Sequence, residues 1–297
     1  MNVLLLWLVA ASTSFSCTPR DTEPPIAISQ YYARFGNNLF QIINAFYAGL
    51  SLGLPVQVPP HRNRILRLIA NRTHAMPCVD GVKLPAVDQR KQLYFYAQSC
   101  TSLGLAAPPA AAKRRVASGT LAPLLRFDAD LRHLQLDRAL VVHVRSGDIF
   151  SKYPHSGYWQ PPLWWYLNIS THHRLHNGQD APLVVVTEPD FINPVVRNLQ
   201  ARGWLIVSST VEADFQALAQ ARFFGLSHGT FSLTAALCST QLHTLYAAVL
   251  HAAPSNINWV NDTRVIIINI HLPGYAIGPW KNTPEQRQQM IEYSPSV

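Results

Sequence analysis

Charge is scarce in this chain. Only 13% of its 297 residues are Asp, Glu, Lys or Arg, and the acids are the scarcer sign, 16 against 24 bases. With hydrophobic residues at 48%, that balance excludes intrinsic disorder, which needs low hydrophobicity and high charge. Cysteine is limited to Cys17, Cys78, Cys100 and Cys238, with no Cys-x-x-Cys and no Cys/His grouping at zinc-finger spacing. Zinc ribbons and dithiol redox motifs are thereby excluded, and no metal is expected. Long apolar runs are also missing. Nothing beyond the N-terminus approaches the roughly 20 residues that a bilayer-spanning helix requires, and no repeat of 20 to 50 residues suggests a solenoid.

What is present begins with residues 3–11 (VLLLWLVAA), an apolar run followed by Ser12, Thr13 and Ser14. It has the size of a signal-peptide core and is short for a membrane span, although the basic residues that usually precede such a core are missing. Residues 1–16 are therefore read as a signal peptide or short signal anchor, and membrane contact is expected at most there. Three N-glycosylation acceptors, at Asn71, Asn168 and Asn261, point to the same compartment. A secretory lumen, endoplasmic reticulum or Golgi with secretion as a variant, is the expected location. An oxidising lumen permits disulfides. Cys78 with Cys100 closes a modest loop and is the expected pair, whereas Cys238 lies in an apolar helical pattern and reads as a core residue.

The net charge of +8 favours anionic partners. Nucleic acid is not expected among them, because the one compact basic cluster, Lys113-Arg114-Arg115, lacks interleaved aromatics and reads as a solvated linker. His172, His173 and His176 read as a solvated loop.

The order of elements is predicted to be that of an α/β protein. A β-prone run at 26–32, a glycine turn, an apolar helical pattern over 39–50 ended by Gly53 and Pro55, and a strand at 56–58 make a βαβ unit. Residues 103–119, rich in Ala and Pro, read as a surface crossing between two halves, 24–136 and 137–297. Strands follow at 139–144 (ALVVHV), 183–187 (LVVVT) and 204–208 (WLIVS), with helices around 190–202 and 213–223. Such continuous apolar strands belong to a parallel sheet covered by helices on both faces.

Ligands of open α/β sheets bind beyond the carboxyl ends of strands. Three segments qualify. After the strand at 139–144 come Arg145, Gly147 and Asp148: a guanidinium fork for phosphate oxygens, a glycine that admits backbone, and a carboxylate that can orient the arginine or accept a proton. The same trio is compatible with a plain Arg–Asp pair closing a loop. Residues 226–237 (LSHGTFSLTAAL) lead into an apolar helix running through Cys238, Leu242, Leu245 and Tyr246, offering either an anion site with Thr230 and Ser232 or ordinary capping. Residues 33–41 (ARFGNNLFQ) form a glycine turn presenting Arg34, Asn37 and Asn38.

Taken in this order, the three segments resemble the GDP-fucose-dependent fucosyltransferase superfamily, which includes α-1,2-, α-1,6- and protein O-fucosyltransferases. Arg34-Phe35-Gly36-Asn37-Asn38 is similar to its Gly-Asn turn, His143-Val144-Arg145-Ser146-Gly147-Asp148 to its HxRxxD motif, and Thr230-Phe231-Ser232 to its C-terminal hydroxyl-bearing helix start. The resemblance implies two Rossmann-like lobes in a GT-B-like architecture, an acceptor-side lobe and a C-terminal lobe binding the nucleotide sugar. It implies inverting, metal-independent transfer of fucose from GDP-fucose to a glycan or glycoprotein hydroxyl, with no cofactor. By the same resemblance Arg145 holds the diphosphate with His143 beside it, Thr230 and Ser232 bind phosphate oxygens, Asn37 reaches across from the first lobe, and Asp214 lies near the nucleotide.

Two departures stand out. Ser146 occupies the place of a second arginine, and residues 149–160 contain none of the glutamate that some α-1,6 enzymes carry there. Asp148 becomes the candidate base, with His155 and Glu188 behind it. The alternatives are a transferase of this fold using another nucleotide sugar, or a secreted carbohydrate-binding protein without catalysis. Asp128-Ala129-Asp130 satisfies a metal-binding DxD pattern but precedes the strongest strand, and Asp128 reads as a helix cap. Tyr153, Tyr158, Trp159, Trp164 and Trp165 are candidates for a sugar-stacking lip or for core packing.

Overall fold

The computed structural model describes residues 22–79, 82–95, 98–249 and 263–295. The expected signal segment, Cys17 and Asn261 lie outside them. The chain is α/β, with a mixed four-stranded sheet followed by a parallel six-stranded one.

The first sheet grows from the βαβ unit. β1 (Ile26–Ile28) and β2 (Val56–Val58) pair in parallel across α1 (Phe35–Leu52). Gly53 ends the helix in the left-handed conformation (φ 63°), which its lack of a Cβ makes cheap. β3 (Arg72–His74) adds antiparallel to β2, and β4 (Lys91–Gln92) adds parallel to β1. Asn71, at the start of β3, is exposed with φ 57°.

Within residues 103–119 the cluster Lys113-Arg114-Arg115 is not a solvated linker. The chain here runs from α2 (Gln98–Ser102) through α3 (Ala110–Arg115) into a π-helical turn (Val116–Leu121), and Lys113 and Arg114 are buried. Burial of these cations follows from what they meet. Arg114 Nη1 donates to the carbonyls of Ala236 and Leu237 at 2.8 and 2.6 Å, satisfying a helix end whose last carbonyls lack partners, and Lys113 lies 4.8 Å above the Phe40 ring.

The second sheet comprises β5 (Leu140–Val144), β6 (Leu183–Thr187), β7 (Leu205–Val207), β8 (Phe223–Leu226), β9 (Thr244–Val249) and β10 (Ile266–His271). Its order is β10-β9-β8-β5-β6-β7. The chain thus proceeds outward in one direction from β5 through β7, then returns to β8 and proceeds outward in the other. The reversal falls between β5 and β8, the place where a ligand crevice opens in such sheets. Each strand serves two cores. Val141, Val184 and Val186 join one with α1, α6 (Val211–Ala219) and α7 (Thr230–Cys238); Leu140, Val142, Val144 and Val185 join the other with α4 (Leu163–Asn177), α5 (Pro194–Gln200) and α8 (Pro284–Glu292).

Several expectations are corrected. The helix through Cys238 does not continue to Tyr246: Ser239 Oγ accepts from the amide of Leu242 at 3.0 Å, turning the chain into β9. His172, His173 and His176 sit on α4 rather than in a loop, with His173 buried against the Arg138 carbonyl. Asn168 lies exposed on the same helix. The Cys78–Cys100 pairing is not made, because Cys100 is a free, fully buried thiol whose pKa burial raises to about 11; Cys78 has its partner elsewhere. Cys238 is likewise free and buried, as its core reading requires. No helix among the described residues is long and apolar enough to cross a membrane.

Candidate functional site at the sheet reversal

Arg145 leaves the end of β5, and its backbone is fastened before its side chain is. Asn193, capping α5, donates from Nδ2 to the Arg145 carbonyl at 2.8 Å. The next residue, Ser146, is fully buried, its amide donating to Glu188 Oε2 at 2.6 Å and its hydroxyl to Asp190. A loop tied at three points aims one side chain. Burial raises the Glu188 pKa, with the Ser146 amide pulling the other way.

The guanidinium of Arg145 is enclosed on three sides. Its carbon lies 4.0 Å from the Tyr158 ring centre, a cation–π distance. On another side is Gly229, whose φ of 145° favours glycine; a Cβ there would come within 3.1 Å of Arg145 Nη1, so the guanidinium would have to shift by a few tenths of an ångström. On the third, Nη2 donates to Asp148 Oδ1 and Oδ2 at 3.1 and 3.2 Å. Asp148 also meets Arg34 Nη2, from the first lobe, at 3.1 Å. The Arg145 side chain is left 14% exposed.

Asn37 and Thr230 come together as well. They begin α1 and α7, and the Thr230 hydroxyl donates to Asn37 Oδ1. Two helix starts meet here because Gly36 packs on backbone: a Cβ on it would fall 2.6 Å from the Phe231 nitrogen. Phe35, Phe215 and Phe231 fill the space behind the contact, with Phe35 and Phe215 ring centres 5.1 Å apart.

His143 and Ser232 are buried rather than presented beside Arg145 to a ligand. His143 is buried on β5, its Nδ1 2.5 Å from Ser227 Oγ, and Ser227 Oγ is 3.1 Å from Ser232 Oγ. Burial, with the Arg145 charge in second place, pushes the His143 pKa down to about 3, so a neutral imidazole backs the arginine. His228 is lowered to about 4 by burial, then by the Arg145 and His155 charges. Asp214, in the first turn of α6, accepts from the Ser209 amide at 3.1 Å and is 9% exposed. Burial raises its carboxyl to about 7 against the pull of that amide, and the Glu188 charge adds to the rise.

The remaining candidates lie apart. Asp128 and Asp130 are exposed and ion-paired with Arg126 and Arg132 at 3.1 and 2.7 Å. No group of three metal-ligating side chains occurs among the described residues. An aromatic lip of five members does not form. Trp159 and Trp165 are core residues, Trp159 Nε1 donating to the Gly278 carbonyl at 2.9 Å, and Trp164 packs on Tyr293; Tyr158 lies under Arg145 and Tyr153 stands 83% exposed on the same loop. Sequence reasoning missed Asp190 and Asn193 as supports of the Arg145 loop. Their signal was the position of Glu188 and Asp190 just past a buried strand. Comparisons of the chain with known protein families, with curated proteins and with solved structures find no match.

Proposed function

We propose that this chain is an inverting glycosyltransferase of GT-B-like architecture that transfers fucose from GDP-fucose to a hydroxyl of a glycan or glycoprotein in the secretory lumen, without a metal ion. The observation that carries the reading is the enclosure of Arg145 at the sheet reversal, between the start of α7 and the first lobe. A fixed, mostly buried cation beside a helix N-terminus suits a diphosphate leaving group.

In this reading the acceptor oxygen attacks the anomeric carbon from the face opposite the nucleotide. The bond from that carbon to the β-phosphate oxygen breaks, its electron pair goes to GDP, and Arg145 with Thr230 and Asn37 stabilises the charge. A loose, oxocarbenium-like transition state asks little of a base, so the acceptor proton passes to water. Asp148, which already pairs with two guanidiniums, is assigned no proton-transfer step.

A thermal-shift panel of nucleotide sugars should show the largest rise with GDP-fucose, since stabilisation follows ligand excess over its dissociation constant. A shift with a different nucleotide sugar alone would keep the fold's chemistry and replace the donor. GDP release from GDP-fucose should fall by roughly 10²- to 10³-fold or more in Arg145→Ala and be unchanged by EDTA. Wild-type protein that neither binds GDP nor turns over any nucleotide sugar would refute the reading and leave the non-catalytic carbohydrate-binding alternative.

A further inference from the structure

One carboxylate holds two arginines from different lobes. Asp148 accepts from Arg145 Nη2 at 3.1 and 3.2 Å and forms an ion pair with Arg34 Nη2 at 3.1 Å. The two cations share a single negative charge, so the cluster keeps an excess of one positive charge. Arg34 is not a wandering surface residue. Its carbonyl accepts from the amides of Asn37 and Asn38 at 2.9 and 3.1 Å, which fixes its backbone to the start of α1, and α1 is seated on α7 through Gly36. Its side chain is 61% exposed and meets the same carboxylate as Arg145. Ser146, meanwhile, supplies no cation and points away, its hydroxyl bonded to Asp190 within the second lobe.

We propose that Arg34 is the second diphosphate-binding cation of this site, supplied from the opposite lobe, and that Asp148 is an internal anion holding both guanidiniums until a diphosphate takes its place. The inference rests on the donor reading of Arg145. A diphosphate offers more charge and more acceptor oxygens than a carboxylate, and each guanidinium fork matches phosphate geometry. The bond it must replace is a partly exposed ion pair, of the kind that contributes little. Exchange of Asp148 for the diphosphate therefore leaves both arginines paired, now across the two lobes.

Calorimetric titration of the full chain with GDP and with inorganic pyrophosphate, in magnesium-free buffer, tests this. Arg34→Ala should weaken both ligands by about 10- to 100-fold, the equivalent of lost charge-assisted hydrogen bonds, and Arg34→Lys should recover only part. Asp148→Asn should bind both ligands several-fold more tightly than wild type. The Arg34 side chain makes no capping bond, and urea melts of each variant verify that the fold is intact. Unchanged affinity in Arg34→Ala, alongside lost affinity in Arg145→Ala, would overturn the role of Arg34 and leave the donor reading standing. Weakened binding in Asp148→Asn would overturn the internal-anion role and make Asp148 an orienter of Arg145. Wild-type protein binding neither ligand would remove the donor reading and this inference together.

Discussion

Asp214 is a carboxyl in the wrong medium. It is nearly buried at the start of α6, facing the negative Glu188, and one amide bond from Ser209 does not compensate. Its pKa rises from 3.8 to about 7, so the folded state binds the proton more tightly than the unfolded chain. The stability this provides is full below about pH 3.8 and is lost as pH rises through about 7; above that the fold must carry a buried charge. Asn at this position keeps an oxygen for the Ser209 amide and cannot ionise. Asp214→Asn should therefore melt like wild type near pH 4, gain over it as pH rises to about 7, and hold a constant advantage above. At roughly 2 °C in Tm per kcal/mol for a chain this long, the gain should be several degrees. A gap between variant and wild type that does not change with pH would show that Asp214 is not titrating in this window.

At the scale of elements, the contact of α1 with α7 carries the site, and Gly36 is what allows it. An added Cβ would meet the backbone of Thr230 and Phe231 at 2.6 to 2.8 Å, and backbone cannot rotate away. Gly36→Ala should cost about 1–3 kcal/mol in urea unfolding, as overpacking does, and should also weaken GDP binding by separating Asn37 from Thr230. Gly104→Ala is the control. Its φ of 74° imposes about 1–2 kcal/mol of left-handed strain, but the space around it is open, so nucleotide affinity should not change. Equal affinity in both variants would detach the helix contact from the site.

That contact also marks where sequence reasoning stops. β1, α1, β2, β5 and β6 are legible because each has one unambiguous period or an unbroken apolar run with turn residues on either side. β8 and β9 are not. Phe223 continues the apolar pattern of α6, and Leu242, Leu245 and Tyr246 continue that of α7 at helical spacing, so both strands are absorbed into helices. Only the serine turn at Ser239 and the pairing of β8 with β5 decide otherwise, and pairing is a property of distant residues. The same holds for the site. Arg145, Asn37 and Thr230 are visible as residues that follow strands or start helices. The Arg34–Asp148 pair, the Tyr158 ring beneath Arg145 and the burial of Arg114 at the end of α7 depend on how segments more than 100 residues apart, or folded loops, meet in space.

At the scale of the molecule, two sheets would ordinarily mean two units able to move or melt separately, because interfaces between lobes of one chain are usually polar. Here the junction is apolar. A single core runs from Ile26, Ile43 and Val56 of the first lobe through Phe35, Phe215 and Leu233 to Val141, Phe224 and Leu245 of the second. Arg114 adds a polar fastening on the far side, bonded to carbonyls at the end of α7, so the helix is held by the first half of the chain at both ends. Neither lobe can open without exposing that shared surface to water, at roughly 25 cal/mol per Å² of apolar area. Scanning calorimetry should accordingly give one transition with equal calorimetric and van't Hoff enthalpies. Two resolved transitions, or a calorimetric enthalpy well above the van't Hoff value, would mean that the lobes melt independently. Saturating GDP gives the sharper version of the test: if, as proposed, Arg145 on one lobe and Asn37 on the other both grip it, GDP should raise the whole transition, whereas a ligand held by the second lobe alone in a protein of independent halves would lift one part and leave the other where it was.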